Sequence, residues 1–236
     1  KAQAGAKEIM LLGQTVNAYQ FENTSFADLL NQVSRLPGVE RVRFTSPHPI
    51  YFTPEFLEAI KDNPKIARHV HLPVQSGSTK VLQEMKRGYT REIFLEKVRA
   101  LKSCGFNIST DIIVGFPTET EDDFKETLSL VDEAEFFAAY CFKYSPRQGT
   151  PAAKMKLLPQ NILEERLDIL LNKVRGLSDA AYQAQVGSVQ EVLLESENKG
   201  RASGNFWVKT HKSYPVGSVI KTSIEKADGT LLFARD

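Results

Sequence analysis

Four polar turns, each following a short apolar run, hold the residues of this chain best suited to bind a small ligand. Gln14 and Asn17 follow the run 8–13, and Ser46-Pro47-His48-Pro49 follows 39–45. Gln75-Ser76-Gly77-Ser78 follows 69–74, and Gly115-Phe116-Pro117-Thr118-Glu119 ends the run that begins Asp111-Ile112-Ile113-Val114. Amides and hydroxyls at these points donate and accept hydrogen bonds, and Gly77 admits a ligand close to the backbone. Glu119 offers a carboxylate to an amine or hydroxyl. In a βαβ protein such turns lie at the C-terminal ends of strands, where ligands bind. Arg87, one helix further on, returns charge to the same rim. Each turn also has a plainer reading. Ser78 or Thr79 can cap a helix, and Glu119 can complement a helix dipole. Four polar strand ends on one rim favour a site.

Other residues carry weaker signals. Arg147, in Tyr144-Ser145-Pro146-Arg147-Gln148-Gly149, has the planar fork that holds a carboxylate or phosphate, or is an ordinary surface arginine. His48 has the side chain type whose ordinary pKa lies nearest neutrality, with no partner fixed by the sequence. His69 and His71 share a strand face, a possible metal pair lacking a third ligand. No acid/base pair, nucleophilic triad, Walker loop or GxGxxG turn is present. Near the C-terminus, Arg201, Phe206, Trp207 and Lys209, with Lys199, His211 and Lys212, interleave cations and aromatics as RNA-binding β-barrels do. Phe206 and Trp207 are neighbours on a strand, so one of them faces the core.

The elements positioning these residues follow from periodicity. Strands are expected over 8–13, 39–45, 69–74, 107–116 and 139–144. Helices are expected over 26–36, 54–62, 79–86, 91–104 and 120–135. This alternation implies a parallel sheet with crossover helices, a partial (β/α) barrel. One long helix spans 159–185. Short strands over 189–195, 204–210, 219–224 and 231–234, separated by glycine and charged turns, suggest a small all-β barrel. The expected domains are therefore 1–158, a connecting helix 159–185, and 186–236.

Composition narrows the class. The 236 residues are 42% hydrophobic and 25% charged with a formal net charge of +1, so RNA contact must come from a local patch. No apolar run approaches the roughly 20 residues of a membrane span. No signal-peptide pattern opens the chain, and Lys1 is not an initiator methionine, so the chain reads as a processed or trimmed product. Cys104 and Cys141 lack metal-ligand spacing and read as buried free thiols, which fits a cytoplasmic setting.

Several segments occur in a telling order: Leu11-Leu12-Gly13-Gln14-Thr15-Val16-Asn17, Arg43-Phe44-Thr45-Ser46-Pro47-His48-Pro49, residues 71–90, 111–119 and 144–151. In that order they resemble the radical SAM methylthiotransferases, above all the MiaB-type tRNA 2-methylthioadenosine synthases. The C-terminal strands resemble their TRAM domain. The implied fold class is α/β, a partial (β/α) radical SAM barrel followed by a small all-β TRAM barrel. The implied cofactors are S-adenosyl-L-methionine (SAM) and two 4Fe-4S clusters. The implied reaction uses a 5′-deoxyadenosyl radical to remove hydrogen from C2 of N6-isopentenyladenosine 37 and installs a methylthio group there. The implied partners are the tRNA anticodon stem-loop and an external electron donor, with no membrane. By resemblance, Gln14, Asn17, Ser46, Gln75, Ser76, Asp111 and Glu119 line the SAM pocket. His48, Arg87 and Arg147 face SAM or the target nucleoside, and Arg201, Phe206, Trp207 and Lys209 grip tRNA.

The chain departs from the family pattern in three respects. The cluster-binding CxxxCxxC, which lies just before the first strand in the family, does not occur within Lys1–Asp236. The cluster cysteines are expected upstream of Lys1, as is the domain holding the second cluster, so this chain alone ligates no metal and is expected to be inactive. Thr15 and Thr118 stand where Asn and Gly are frequent. The sequence Pro73-Val74-Gln75-Ser76-Gly77 favours the isopentenyladenosine branch over those acting on a ribosomal protein or on threonylcarbamoyl-adenosine tRNA. The alternative from another class is a non-catalytic RNA-binding module on a degenerate barrel.

Overall fold

Alternation along five parallel strands assigns one face of a sheet to helices and leaves the other open. The computed structural model describes residues 1–235. In chain order the elements are β1 (Glu8–Leu11), a small hairpin of β2 (Gln20–Phe21) and β3 (Thr24–Ser25), α1 (Phe26–Ser34), β4 (Arg41–Phe44) and α2 (Pro54–Lys61). Next come β5 (His69–His71), α3 (Thr79–Glu84), α4 (Arg91–Ser103), β6 (Asn107–Val114), α5 (Glu121–Ala134) and β7 (Ala138–Lys143). β1 pairs with β4, and β5, β6 and β7 pair in turn, all parallel. Residues 65–67 join the two groups, with the Val42 N–H donating to Lys65 O (2.8 Å) and the Ala67 N–H to Val42 O (2.9 Å).

Helix starts are fixed locally. Ser25 with Asp28, and Thr120 with Asp123, form capping boxes at α1 and α5. Thr53 and Thr90 cap α2 and α4. Alternate strand residues such as Val42, Phe44, Val70, Ile108, Ile112 and Val114 join the core beneath these helices. Their neighbours Glu8, Arg41, Arg43, His69, His71, Ser109, Asp111 and Tyr140 take the opposite face, because strand side chains alternate.

α6 (Gln160–Gln183) leads to five strands: β8 (Val189–Ser196), β9 (Lys199–Ala202), β10 (Trp207–Lys209), β11 (Val219–Asp228) and β12 (Leu231–Arg235). They close in the order β10-β12-β11-β8-β9. The sequence reading placed one strand over 204–210. The structure instead puts β9 and β10 on either side of a turn, with Asn205 at φ +73°. β9 lacks apolar alternation because Gly200 lies where a Cβ would be 2.1 Å from Leu193 O. The turn between β9 and β10 seats against the N-terminal strand ends. Arg41 donates to Arg201 O (2.8 Å), Arg43 to Ala202 O (3.2 Å), the Arg68 N–H to Ser203 Oγ (3.1 Å) and Asn107 Nδ2 to Gly204 O (2.9 Å). The small barrel is thereby fixed to the foot of the sheet.

Candidate functional site

The first two turns form one unit. Asn17 is buried, and its amide grips the backbone of His48, donating to His48 O (3.0 Å) and accepting from the His48 N–H (2.8 Å). It shapes the 46–49 loop, in which half-buried Ser46 adopts φ +57°. The His48 ring lies 5.3 Å from that of Tyr89. Burial and then the Arg87 charge lower its pKa, while a hydrogen bond to the Arg87 backbone acts the other way. The structure thus gathers Asn17, Ser46, His48 and Arg87, and leaves Gln14 exposed beside them at the end of β1. Arg147 is exposed in its own turn, where its carbonyl accepts from Thr150. Tyr89 escaped the sequence reading because nothing separates it from a core aromatic. Its hydroxyl donates to Pro73 O (3.2 Å) and Val74 O (3.1 Å), bracing the end of β5, and burial pushes its pKa up to about 12.

The next two turns serve packing more than binding. Gln75 stands at φ +76°, with its N–H on Asp111 O (2.8 Å) and its carbonyl accepting from the Ile113 N–H (2.8 Å). A left-handed residue costs on the order of 1–3 kcal/mol, and strand pairing holds it in place. Ser76, expected in the SAM pocket, is fully buried, and its hydroxyl accepts from the Ser78 N–H (3.2 Å), which leaves no surface for a ligand. Gly77 is approached not by a ligand but by α5: a Cβ there would lie 2.4 Å from Thr127 Cα. Ser78 donates to Asp123 Oδ1 (2.6 Å), and Lys80 reaches Asp123 Oδ2 (2.8 Å).

Glu119, also expected in the pocket, is buried. Its Oε2 accepts from the Gly115 N–H (2.7 Å) and from Arg166 of α6 (2.7 Å). Burial raises its pKa against both of these donors. It therefore holds its own turn to α6 through Oε2, while its buried Oε1 meets no donor among the described residues.

The open face of β5–β7 carries a hydrogen-bonded chain that the sequence showed only in pieces. His69 Nε2 and His71 Nδ1 both meet Ser109 Oγ at 2.9 Å, and His71 Nε2 meets Asp111 Oδ2 at 3.3 Å. Burial, then the Arg43, His71 and Arg201 charges, depress the pKa of His69 to about 3, so its ring is neutral. The two histidines are joined through a serine rather than arranged around a metal. Tyr140 stands beside Asp111 in the strand register, its ring 5.7 Å from that of His71 and edge-on to it.

On the small barrel, Phe206 was expected to grip tRNA, but it is buried, packing edge-on against Phe137 (4.8 Å) and Tyr182 (4.9 Å). The alternation of neighbouring strand residues sends it to the core and leaves Trp207 half-buried. Arg201 and Lys199 lie over the Trp207 ring at 4.1 and 4.4 Å, and Lys209 is exposed opposite Lys199. The result is a cationic strip around one aromatic.

Among the described residues no group of three or more His, Cys, Asp or Glu could hold a metal ion. Cys104 and Cys141 are free and half-buried, and burial followed by the Asp111 charge pushes the Cys141 thiol up to about 11.

The Radical SAM superfamily model matches residues 1–131. The chain is 43% identical to the tRNA-2-methylthio-N(6)-dimethylallyladenosine synthase of Campylobacter hominis, over 99% of this chain and 58% of that protein. It is 45% identical to the protein of that name from Thermus thermophilus, over 98% of this chain and 52% of the relative. The chain thus spans about half the length of the curated relatives it matches. The solved structure of Methanocaldococcus infernus Elp3 aligns with a TM-score of 0.51 at 16% identity, covering 72% of this chain and 45% of that one. At that identity the likeness is one of fold.

Proposed function

Since the chain belongs to the radical SAM superfamily, we propose that it provides the SAM-binding wall and RNA-binding barrel of a tRNA methylthiotransferase acting at C2 of N6-isopentenyladenosine 37. The observation that carries this reading is the 43–45% identity, along almost all of this chain and about half of each relative, to proteins named for that reaction. Residues 1–158 form the partial radical SAM barrel, 159–185 the connecting helix and 186–236 a TRAM-like barrel.

The residues present suit SAM. Exposed Gln14 and the strained backbones of Ser46 and Gln75 lie at strand ends, and Asp111 lies on the open face below them. Asn17 serves the pocket through the His48 loop, and Ser76 and Glu119 through the turns they stabilise. His48 and Arg87 sit together on the rim, and Arg147, exposed in the loop after β7, is assigned to the same ligand by resemblance. The residues present do not suit the 4Fe-4S clusters, whose ligands must come from outside them. Bound SAM supplies the methyl group and the hydrogen-abstracting power, and the protein orients and shields it. Arg201, Lys209 and Lys199 attract the anticodon stem-loop, and Trp207 offers a ring edge.

Cluster reduction draws on an external electron donor. The two free thiols suit a reducing, cytoplasmic setting, and no helix of the described residues is long and apolar enough to cross a membrane.

The test is mass spectrometry after incubating the intact, cluster-loaded protein with isopentenylated tRNA, unmodified tRNA or ribosomal protein. A methylthio group on the isopentenylated tRNA alone is expected. Its appearance on the ribosomal protein instead, or nowhere, would overturn the assignment.

A further inference from the structure

We propose that Arg41 and Asn107 are positioning residues for tRNA modification. They hold the turn between β9 and β10 to the foot of the sheet, so that the cationic strip and the open face engage one RNA in a fixed relation. This rests on the reading above, in which the strip grips the tRNA whose base is modified on the sheet.

Four consecutive residues of that turn each accept a hydrogen bond from the N-terminal part of the chain. Arg201 O accepts from Arg41, Ala202 O from Arg43, Ser203 Oγ from the Arg68 N–H and Gly204 O from Asn107 Nδ2. The donors lie on β4, on the residue before β5 and on the first residue of β6. Arg41 also reaches Glu191 O on β8, at 3.4 Å. Most of the acceptors are main-chain carbonyls, so the row fixes backbone, and a slip of one residue would unpair it. Gly204 leaves no slack: a Cβ there would lie 2.6 Å from Asn107 Nδ2.

Adhesion and orientation come from different groups. Phe137, between α5 and β7, stacks on Tyr182 of α6 and meets Phe206 edge-on. Apolar burial of this kind is not directional. Arg41 and Arg43 are each only 4% exposed and share one carboxylate, Glu8 Oε2, at 3.6 and 2.8 Å. Buried ion pairs add little stability over well-packed apolar groups. What the arginines add is direction, through rigid donors aimed at carbonyls.

The pinned residues also build the strip. Arg201 is held by its carbonyl while its guanidinium lies 4.1 Å from the centre of the Trp207 ring, and the two residues pair across β9 and β10. At its other end β4, which supplies Arg41, leads into the loop of Ser46 and His48. One short strand therefore links the RNA grip to the rim.

The experiment compares Arg41→Met and Asn107→Ala, singly and together, with wild type in the full-length, cluster-loaded protein. Asn107→Ala removes a neutral donor and strands no charge, so it tests the row even if Arg41→Met fails to fold. Hydrogen exchange read by mass spectrometry should be about tenfold faster over 199–207 in the double variant. Single-turnover methylthiolation at saturating isopentenylated tRNA should fall about tenfold, because a bound but misplaced substrate reacts slowly. The affinity for tRNA, its salt slope and the affinity for S-adenosylhomocysteine should stay within about twofold of wild type, which a general loss of structure would not allow. An unchanged rate or unchanged exchange would overturn the proposal, as would a loss that falls instead on tRNA or S-adenosylhomocysteine affinity. If the wild type itself leaves tRNA unmodified, the methylthiotransferase reading fails and the positioning role falls with it. If the wild type modifies tRNA and the variants match it, only the positioning role fails.

Discussion

The turns after β5 and β6 and the open face of the same strands are built from similar polar residues, a few positions apart, and are put to different work. Ser76, Ser78 and Glu119 are buried and meet the backbone, α5 or α6. His71, Asp111 and Tyr140 keep exposed surface and meet chiefly one another. The difference lies in which direction each residue has available. A turn side chain can fold back to satisfy the helix that follows, and α5 presses so closely on Gly77 that it must. A strand side chain on the open face points away from α5 and is free of that demand. The polar turns after β5 and β6 thus act as mortar, and strand parity decides which polar side chains stay open.

If the turns are mortar, breaking them should cost stability. The largest loss is expected for Arg166→Met, which strands the buried Glu119 carboxylate. Removing one partner of a buried pair costs about 3–5 kcal/mol, or roughly 10 °C in a calorimetric melting temperature. Gly77→Ala should follow at about 2–3 kcal/mol, because its Cβ meets α5 backbone that cannot yield. A melting temperature within a degree of wild type for either variant would break the comparison.

A pH series sharpens it. Burial alone would raise the pKa of Asp123, but bonds from Lys80, Ser78 and Thr120 outweigh that and hold it well below its ordinary 3.8. A depressed carboxylate stabilises the fold above its unfolded pKa and loses that contribution as pH falls. The stability gap between wild type and Asp123→Asn should therefore be full at neutral pH and shrink below about pH 4. A gap constant from neutral pH to pH 3 would contradict the ion-pair account. The smallest effect belongs to the small barrel. Lys199→Ala with Lys209→Ala should flatten the salt dependence of tRNA binding by about 0.7–0.9 per lost phosphate contact, and an unchanged slope would remove the strip from the interface.

Much of this was legible in the residues. The apolar runs and their strand or helix periodicity place the elements to within a few residues. β9 stayed hidden because Lys199-Gly200-Arg201-Ala202 has no apolar alternation, its one invariable need being a bare backbone against Leu193. At the site, His69 and His71 could be seen to share a face. Ser109 between them could not, since that contact spans 40 and 38 residues of chain. Nor could the sequence reveal that Glu119 would be claimed by Arg166, 47 residues on. Long-range pairing decided which polar groups remained available.

The division between mortar and binding wall is tested most directly by measuring melting temperature and tRNA methylthiolation together, in the full-length protein, for Ser76→Ala and Asp111→Asn. Ser76→Ala should lose about 1 kcal/mol of stability and keep kcat/KM near wild type. Asp111→Asn should melt within about 0.5 kcal/mol of wild type and lose about tenfold in kcat/KM. The reverse pattern, with Ser76→Ala inactive but fully stable and Asp111→Asn active but destabilised, would contradict the account.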